Sequence, residues 1–118
     1  MLKSILKAKN RRRQQRKRRV RGKISGDASR PRVTIFRSNK HFYAQAIDDT
    51  KGHTLAYSDG AKLKVKANRE GAIAVATDLS KKLKAQNIEN VVFDRNGYLY
   101  HGVVAEFANK LRENGIKF

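Results

Sequence analysis

The order of hydrophobic patterns predicts an α/β fold of the mixed-sheet kind: β-β-β-α-β-α, with helices packed on the sheet in a two- or three-layer sandwich. Three observations predict it. Short runs rich in β-branched and aromatic residues alternate with turn signals in the first half of the chain. Two later segments repeat apolar residues at spacings of three and four. Between those two segments lies a short, wholly apolar run, the pattern of a buried strand.

The elements follow in order. Residues 22–31 hold two glycines and the only proline, a linker composition. Residues 32–37 (RVTIFR) then read as a strand, and Ser38, Asn39 and Lys40 as a turn. Residues 41–48 read as a second strand antiparallel to the first, residues 49–52 as a turn, and residues 53–58 as a third strand, shorter and more polar. Ala72, Ile73, Val75, Ala76, Leu79 and Leu83 make the apolar stripe of a helix, with Asn68 or a neighbour as N-cap, Glu70 in the first turn and Asn87 ending it. Val91, Val92 and Phe93 form the buried strand, and a helix before it predicts parallel crossover pairing. Val104, Phe107, Ala108 and Leu111 mark the last helix, with Gly115 as its cap. Asn96-Gly97 is a hairpin signal that leaves open a further short strand over residues 98–100, although a loop into the last helix is preferred. Phe36, Phe42, Phe93 and Phe107 are assigned to the core.

Charge divides the chain in two. Residues 1–40 hold 16 Lys/Arg and one acid, Asp27, for a net of +15, whereas residues 41–118 hold 12 Lys/Arg and 9 acids, for a net of +3. Residues 1–24 therefore read as a basic nucleic-acid-binding arm and residues 25–118 as a single α/β domain. The arm peaks at Arg11, Arg12, Arg13, Arg16, Lys17, Arg18 and Arg19, followed by Arg21 and Lys23, and contains no acid. Like charges at that density repel, and the arm has little to bury, so alone it is expected to be disordered or a fraying helix. Against phosphate the balance reverses. Neutralising half of the arm's 12 basic residues would give a salt-dependence slope of roughly −4 to −5. A solubilising or nuclear-localisation tail and a mitochondrial presequence are the alternatives. The near-solid charge, with Ser4 the one serine, fits a presequence poorly.

A net charge of +18 calls for a polyanionic partner: RNA, DNA or an anionic membrane surface. The arm lacks an apolar face of interfacial width, so a membrane partner is not expected. With no cysteine there is no thiolate zinc site and no thiol nucleophile. His41, His53 and His101 lack metal-ligand spacing, and neither a cofactor nor a metal is expected. A nuclease using Asp48, Glu70 and Asp94 is the one enzymatic alternative. Asp48 and Asp49 sit where a turn wants acids and Glu70 where a helix start does, so no enzymatic activity is expected.

Two blocks go beyond composition: residues 30–45 (RPRVTIFRSNKHFYAQ) and residues 93–102 (FDRNGYLYHG), followed by GIKF at residues 115–118. Together with the Arg-rich arm, they resemble the L-eighteen family of large-subunit ribosomal proteins over essentially the whole chain. The resemblance implies a mixed α/β sandwich that binds 5S rRNA and helps attach it to 23S rRNA in the central protuberance. It also implies neighbouring 5S-binding ribosomal proteins as partners and a cytoplasmic, ribosomal location. Many members carry a basic residue after Tyr-His-Gly where this chain has Val103, so that contact is not carried over and Val103 is expected to pack inward.

Residue chemistry then nominates the RNA contacts of the body. Arg30, Arg32, Arg37 and Lys40 cluster around the first strand and its turn, where outward side chains reach phosphates. His41 and Tyr43 share one face of the second strand. Arg95, Tyr98, Tyr100 and His101 put cations and rings around the Asn96-Gly97 turn, suited to unpaired RNA. For Tyr43 and Tyr100 the alternative is core packing with the hydroxyl at the surface.

Overall fold

Alternation decides how the strands face. Val33 and Ile35 on β1 (Arg32–Arg37) and Phe42, Ala44 and Ala46 on β2 (Phe42–Asp48) are fully buried, every second residue in each case. A two-residue period demands this of strands that lay one face on a core. The structure is a computed structural model that describes residues 25–38, 40–98 and 102–118. In it β1 and β2 pair antiparallel, with Arg32 opposite Ile47 and Arg37 opposite Phe42. Next to β2 lies β3 (His53–Asp59), also antiparallel, with a register irregularity between Ala46 and Ile47. On the other side of β1, β4 (Val92–Asp94) runs parallel, so the sheet order is β3-β2-β1-β4. The expected mixed sheet is present. The third strand, expected to be shorter than the second, spans 7 residues like it.

Helix α1 (Arg69–Ala85) starts where the Asn68 side chain accepts a hydrogen bond from Gly71 N at 2.8 Å, satisfying a donor that no helical carbonyl could reach. Both helices end by the same device. After α1, Asn87 takes φ +60°, and the amides of Asn87 and Ile88 donate to the carbonyls of Lys84 and Leu83. After α2 (Val103–Glu113), Gly115 takes φ +92°, and the amides of Gly115 and Ile116 donate to Arg112 and Leu111. These paired bonds form the Schellman motif, which needs a residue tolerant of the left-handed region just past the helix.

Both helices cover one face of the sheet. Phe107 of α2 meets Phe42 of β2 at 5.3 Å between ring centroids and Phe93 of β4 at 6.1 Å. Val75, Leu79 and Leu83 of α1 and Val104 and Leu111 of α2 join the same core. Each such side chain contributes roughly 1.5–3 kcal/mol of apolar burial. Phe42 and Phe107, the two largest wholly buried side chains among the described residues, are those whose truncation would open the largest voids. Val103 packs inward at 8% exposure, as expected.

One assignment is corrected. Phe36 is not in the core: it is 36% exposed and lies on the sheet face away from the helices. Val33 and Ile35 take the inward positions of β1, so the period of two sends Thr34 and Phe36 to the other face.

The two sheet margins are finished by side chains and by the chain end. On β3, Lys82 Nζ donates to Tyr57 O at 2.8 Å and Gln86 Nε2 to Leu55 O at 2.7 Å. Ahead of β4, Val91 N donates to Lys117 O and Lys117 N to Glu89 O.

Candidate nucleic-acid interface

β4 spans only three residues, yet β1 continues past it, and side chains take over where the strand stops. Asn96 and Gly97 both have positive φ, +54° and +77°, and Tyr98 N donates to Arg95 O at 3.0 Å. This is the type I′ geometry that Asn-Gly favours. The turn folds back toward β1. Asn96 Nδ2 donates to Ile35 O at 2.9 Å. The Tyr98 hydroxyl accepts from Arg37 N and donates to Arg37 O, both at 3.1 Å. Asn96 and Tyr98 thus satisfy β1 backbone groups that a longer β4 would have paired. Tyr98, nominated as an RNA contact, has its hydroxyl engaged on the β1 backbone and its ring packed against the core.

At the start of β1, Arg32 requires a correction. The sequence places its side chain outward, toward phosphate, but the residue is 9% exposed. Its Nη1 donates to Asp94 Oδ2 at 2.8 Å, and Nε and Nη2 donate to the two carboxylate oxygens of Asp49 at 3.0 and 3.1 Å. Burial pulls the guanidinium pKa down, but the bonds to Asp49 and Asp94 outweigh it and hold the pKa above its ordinary value. Asp49 also accepts from Gly26 N, and Asp94 Oδ1 from Asn96 N. One guanidinium therefore ties the incoming chain, the β2–β3 turn and the end of β4 together. The acids of the nuclease alternative are likewise held in structural positions. Asp48 accepts from the amide and hydroxyl of Thr50, and Glu70 lies in the first turn of α1.

The opposite end of the β1–β2 pair is different. Arg37, Lys40 and His41 are exposed, and among the described residues no carboxylate pairs with any of them. The connection from β3 to α1 comes up beside them, because Gly60 N donates to Phe42 O at 2.9 Å. Its closing turn carries Lys64 at φ +59°, with Lys64 N bonded to Ala61 O and Val65 N to Gly60 O. Lys40, His41, Lys64, Val65 and Lys66 line one open cleft. Gly71 packs against the Lys66 backbone: a Cβ there would stand 1.7 Å from Lys66 O.

The lysines of this connection escaped the reading of the sequence. The available signal was Lys62, Lys64 and Lys66 at every second position, with no acid between Gly60 and Glu70. Tyr57 was missed too. It is 46% exposed, accepts from Lys62 Nζ at 2.9 Å and has Lys82 Nζ 5.2 Å from its ring centre. The hydrogen bond from Lys62 and its charge hold the phenol below its ordinary 10.

Tyr43 is half-buried, with its ring stacked on Phe36 at 5.0 Å and 6° between planes. The core-packing alternative does not hold for it, since it faces away from the helices. Arg30 is exposed at the other end of the sheet, near Asn90, Lys117 and Phe118. Arg95 is half-buried within its turn. The arm residues Arg11, Arg12, Arg13, Arg16, Lys17, Arg18, Arg19, Arg21 and Lys23, together with Tyr100 and His101, lie outside the described residues. Among the described residues, no helix is long and apolar enough to cross a membrane.

Residues 7–118 match the family model for ribosomal L18 of archaea, bacteria, mitochondria and chloroplasts. The chain is 75% identical to the large ribosomal subunit protein uL18 of a Nitratiruptor species over 118 residues, the full length of both. It is 65% identical to uL18 of a Sulfurovum species, again over both whole chains. To uL18 of Campylobacter concisus it is 59% identical over 99% of each chain. The unpaired cations at one end of a mixed α/β sheet thus sit on a member of the ribosomal L18 family, a structural constituent of the large ribosomal subunit in the cytoplasm and not of an enzyme class.

Proposed function

We propose that this chain binds 5S rRNA and helps attach it to 23S rRNA in the central protuberance, beside other 5S-binding ribosomal proteins. Membership of the L18 family supports the ribosomal part of this reading. The observation that carries RNA contact by the body is the group of exposed cations at the β1–β2 turn end, Arg37, Lys40, Lys64 and Lys66, none of which has a carboxylate partner among the described residues. Cations left unpaired within the protein retain their full capacity to neutralise phosphate. Arg11, Arg12, Arg13, Arg16, Lys17, Arg18, Arg19, Arg21 and Lys23 form the densest run of positive charge in the chain and supply much of the salt-dependent affinity. Arg30, His41, Tyr43, Arg95, Tyr100 and His101 add contacts around the body, whereas Arg32 serves the fold.

The competing reading is a general basic RNA or DNA chaperone that binds any duplex through residues 1–24. Because the core of the described residues lies within residues 33–116, a chain lacking residues 1–24 keeps each of those core side chains. Under the 5S rRNA reading it binds more weakly but still prefers 5S rRNA to tRNA of similar length in a competition gel shift. Equal binding of the two RNAs by both the full and the shortened chain would favour the chaperone.

A further inference from the structure

On the sheet face away from the helices, Phe36 and Tyr43 are cross-strand partners whose rings lie nearly parallel. We infer that this ring pair is a stacking platform for an unpaired RNA base, with the flanking phosphate held by the Lys40–Lys64–Lys66 cleft. The inference rests on the proposed RNA binding and specifies where on the protein a single-stranded nucleotide sits.

Four observations carry it. The first is exposure. A phenylalanine 36% exposed beside a half-buried tyrosine leaves apolar ring surface in water, although inward positions of the same strands are wholly buried. The ring pairs around Phe107 in the core are tilted, at 53° and 36°. At 6° between planes, Phe36 and Tyr43 are stacked on one another, and the ring surface they leave exposed is a flat face on which a base can continue the stack.

The second is rigidity. Phe36 and Tyr43 are opposite one another in a fully paired stretch of β1 and β2, and the next residue of β1, Arg37, has its amide and carbonyl held by the Tyr98 hydroxyl. A platform fixed before binding loses little conformational freedom when a base lands on it. The third is charge. Arg37 and Lys40 follow Phe36, His41 precedes Tyr43 by two, and Lys64 and Lys66 come up beside the same turn. The one acid in register with the platform, Asp59 opposite Tyr43, is engaged in its own turn, accepting from Ala61 N at 2.9 Å. Cations around an aromatic surface fit a base with its phosphate better than they fit an apolar protein segment.

The fourth is Lys64 itself, at φ +59° where glycine would be relaxed. A lysine kept in a left-handed position supplies a cation that the more comfortable residue would lack.

The test uses the full chain and 5S rRNA transcripts carrying 2-aminopurine singly at each unpaired purine position. Stacking quenches 2-aminopurine fluorescence in excess of simple binding. With the native chain, at least one position should be quenched. With Phe36→Leu/Tyr43→Leu, that quench should vanish and affinity fall roughly 10-fold or more, the usual loss for one stacked base. Tyr43→Phe keeps the ring and should restore both. Lys40→Gln/Lys64→Gln/Lys66→Gln should lower the salt slope by about 2 while leaving the quench intact at saturation. The melting temperature of each variant, read by circular dichroism, should stay near that of the native chain. If Phe36→Leu/Tyr43→Leu folds and binds 5S rRNA with native affinity and native quenching, the platform is overturned while 5S binding stands. Native RNA binding by that variant with loss of a protein neighbour would also overturn it, assigning the face to a protein. No preference of the native chain for 5S rRNA over tRNA would instead remove the reading beneath it.

Discussion

Arg32 and Arg37 close the two ends of the same six-residue strand, and they do opposite things. Arg32 is buried and bonded to Asp49 and Asp94; Arg37 is exposed, and among the described residues no carboxylate meets it. The difference lies in the acids that each end receives. The lower end collects the β2–β3 turn, with Asp48 and Asp49, and the end of β4, with Asp94. The upper end receives Lys40, His41, Lys64 and Lys66. A net charge of about +3 over residues 41–118 therefore conceals a separation: one end is neutralised from within, and the other is left for an outside anion. A count of basic residues does not separate the cations that the fold has already paired, such as Arg32, from those that it leaves exposed, such as Arg37.

The largest expected effect would break the lower end. Arg32→Ala leaves Asp94 buried without its cation and should destabilise the fold by about 3–5 kcal/mol in chemical denaturation. A loss under about 1 kcal/mol would mean that Arg32 does not tie these three segments together. Arg37→Ala, at the other end of the strand, should leave stability within about 0.5 kcal/mol while weakening 5S rRNA binding and reducing the salt slope by about 0.7–0.9. If the two arginines gave the same pair of effects, the comparison would collapse.

Gly71→Ala tests how the upper end is built. A Cβ directed at the Lys66 carbonyl should force that segment away and cost roughly 1–3 kcal/mol. Lys64→Gly should separate stability from binding more cleanly. Relief of the positive φ, set against the greater freedom of glycine when unfolded, keeps stability within about 1 kcal/mol of native. Binding should weaken because one phosphate is no longer neutralised, and a native salt slope would exclude Lys64 from the interface.

The smallest effect concerns Asp27 in the approach to β1. Hydrogen bonds from the Ser29 hydroxyl and the Arg30 amide hold its carboxyl below the ordinary carboxylate value. A depressed folded-state pKa means its contribution is present above the unfolded value, near 3.9, and disappears as pH falls through the lower folded value. An NMR titration should give Asp27 a midpoint below that of a model peptide, and Ser29→Ala should move it back up.

Much of this fold could be read from period and punctuation. Val33, Ile35, Phe42 and Ala44 alternate, the helical stripe from Ala72 to Leu83 is regular, and Asn68, Asn87 and Gly115 sit at helix ends for reasons local to the backbone. The candidate site was less legible because its defining contacts are distant in sequence. Nothing near Arg32 announces that Asp94, 62 residues on, will neutralise it. Phe36 was misassigned by treating aromatic as synonymous with buried, when the parity of Val33 and Ile35 already placed it on the opposite face. The Asn96-Gly97 signal does mark a turn. Its purpose, to send Asn96 and Tyr98 back to β1, depends on a strand that lies some 60 residues earlier.

The margins of the sheet carry a consequence for the protein before it meets RNA. A ribosomal protein must exist for a time as a separate chain, and bare strand edges are templates for the addition of further strands. Here Lys82 and Gln86 occupy the outward carbonyls of β3, and the C-terminal segment lies along residues 89–91. A strand approaching either margin would therefore meet backbone groups already engaged within the chain, so the features that complete the sheet also blunt its edges against strand addition.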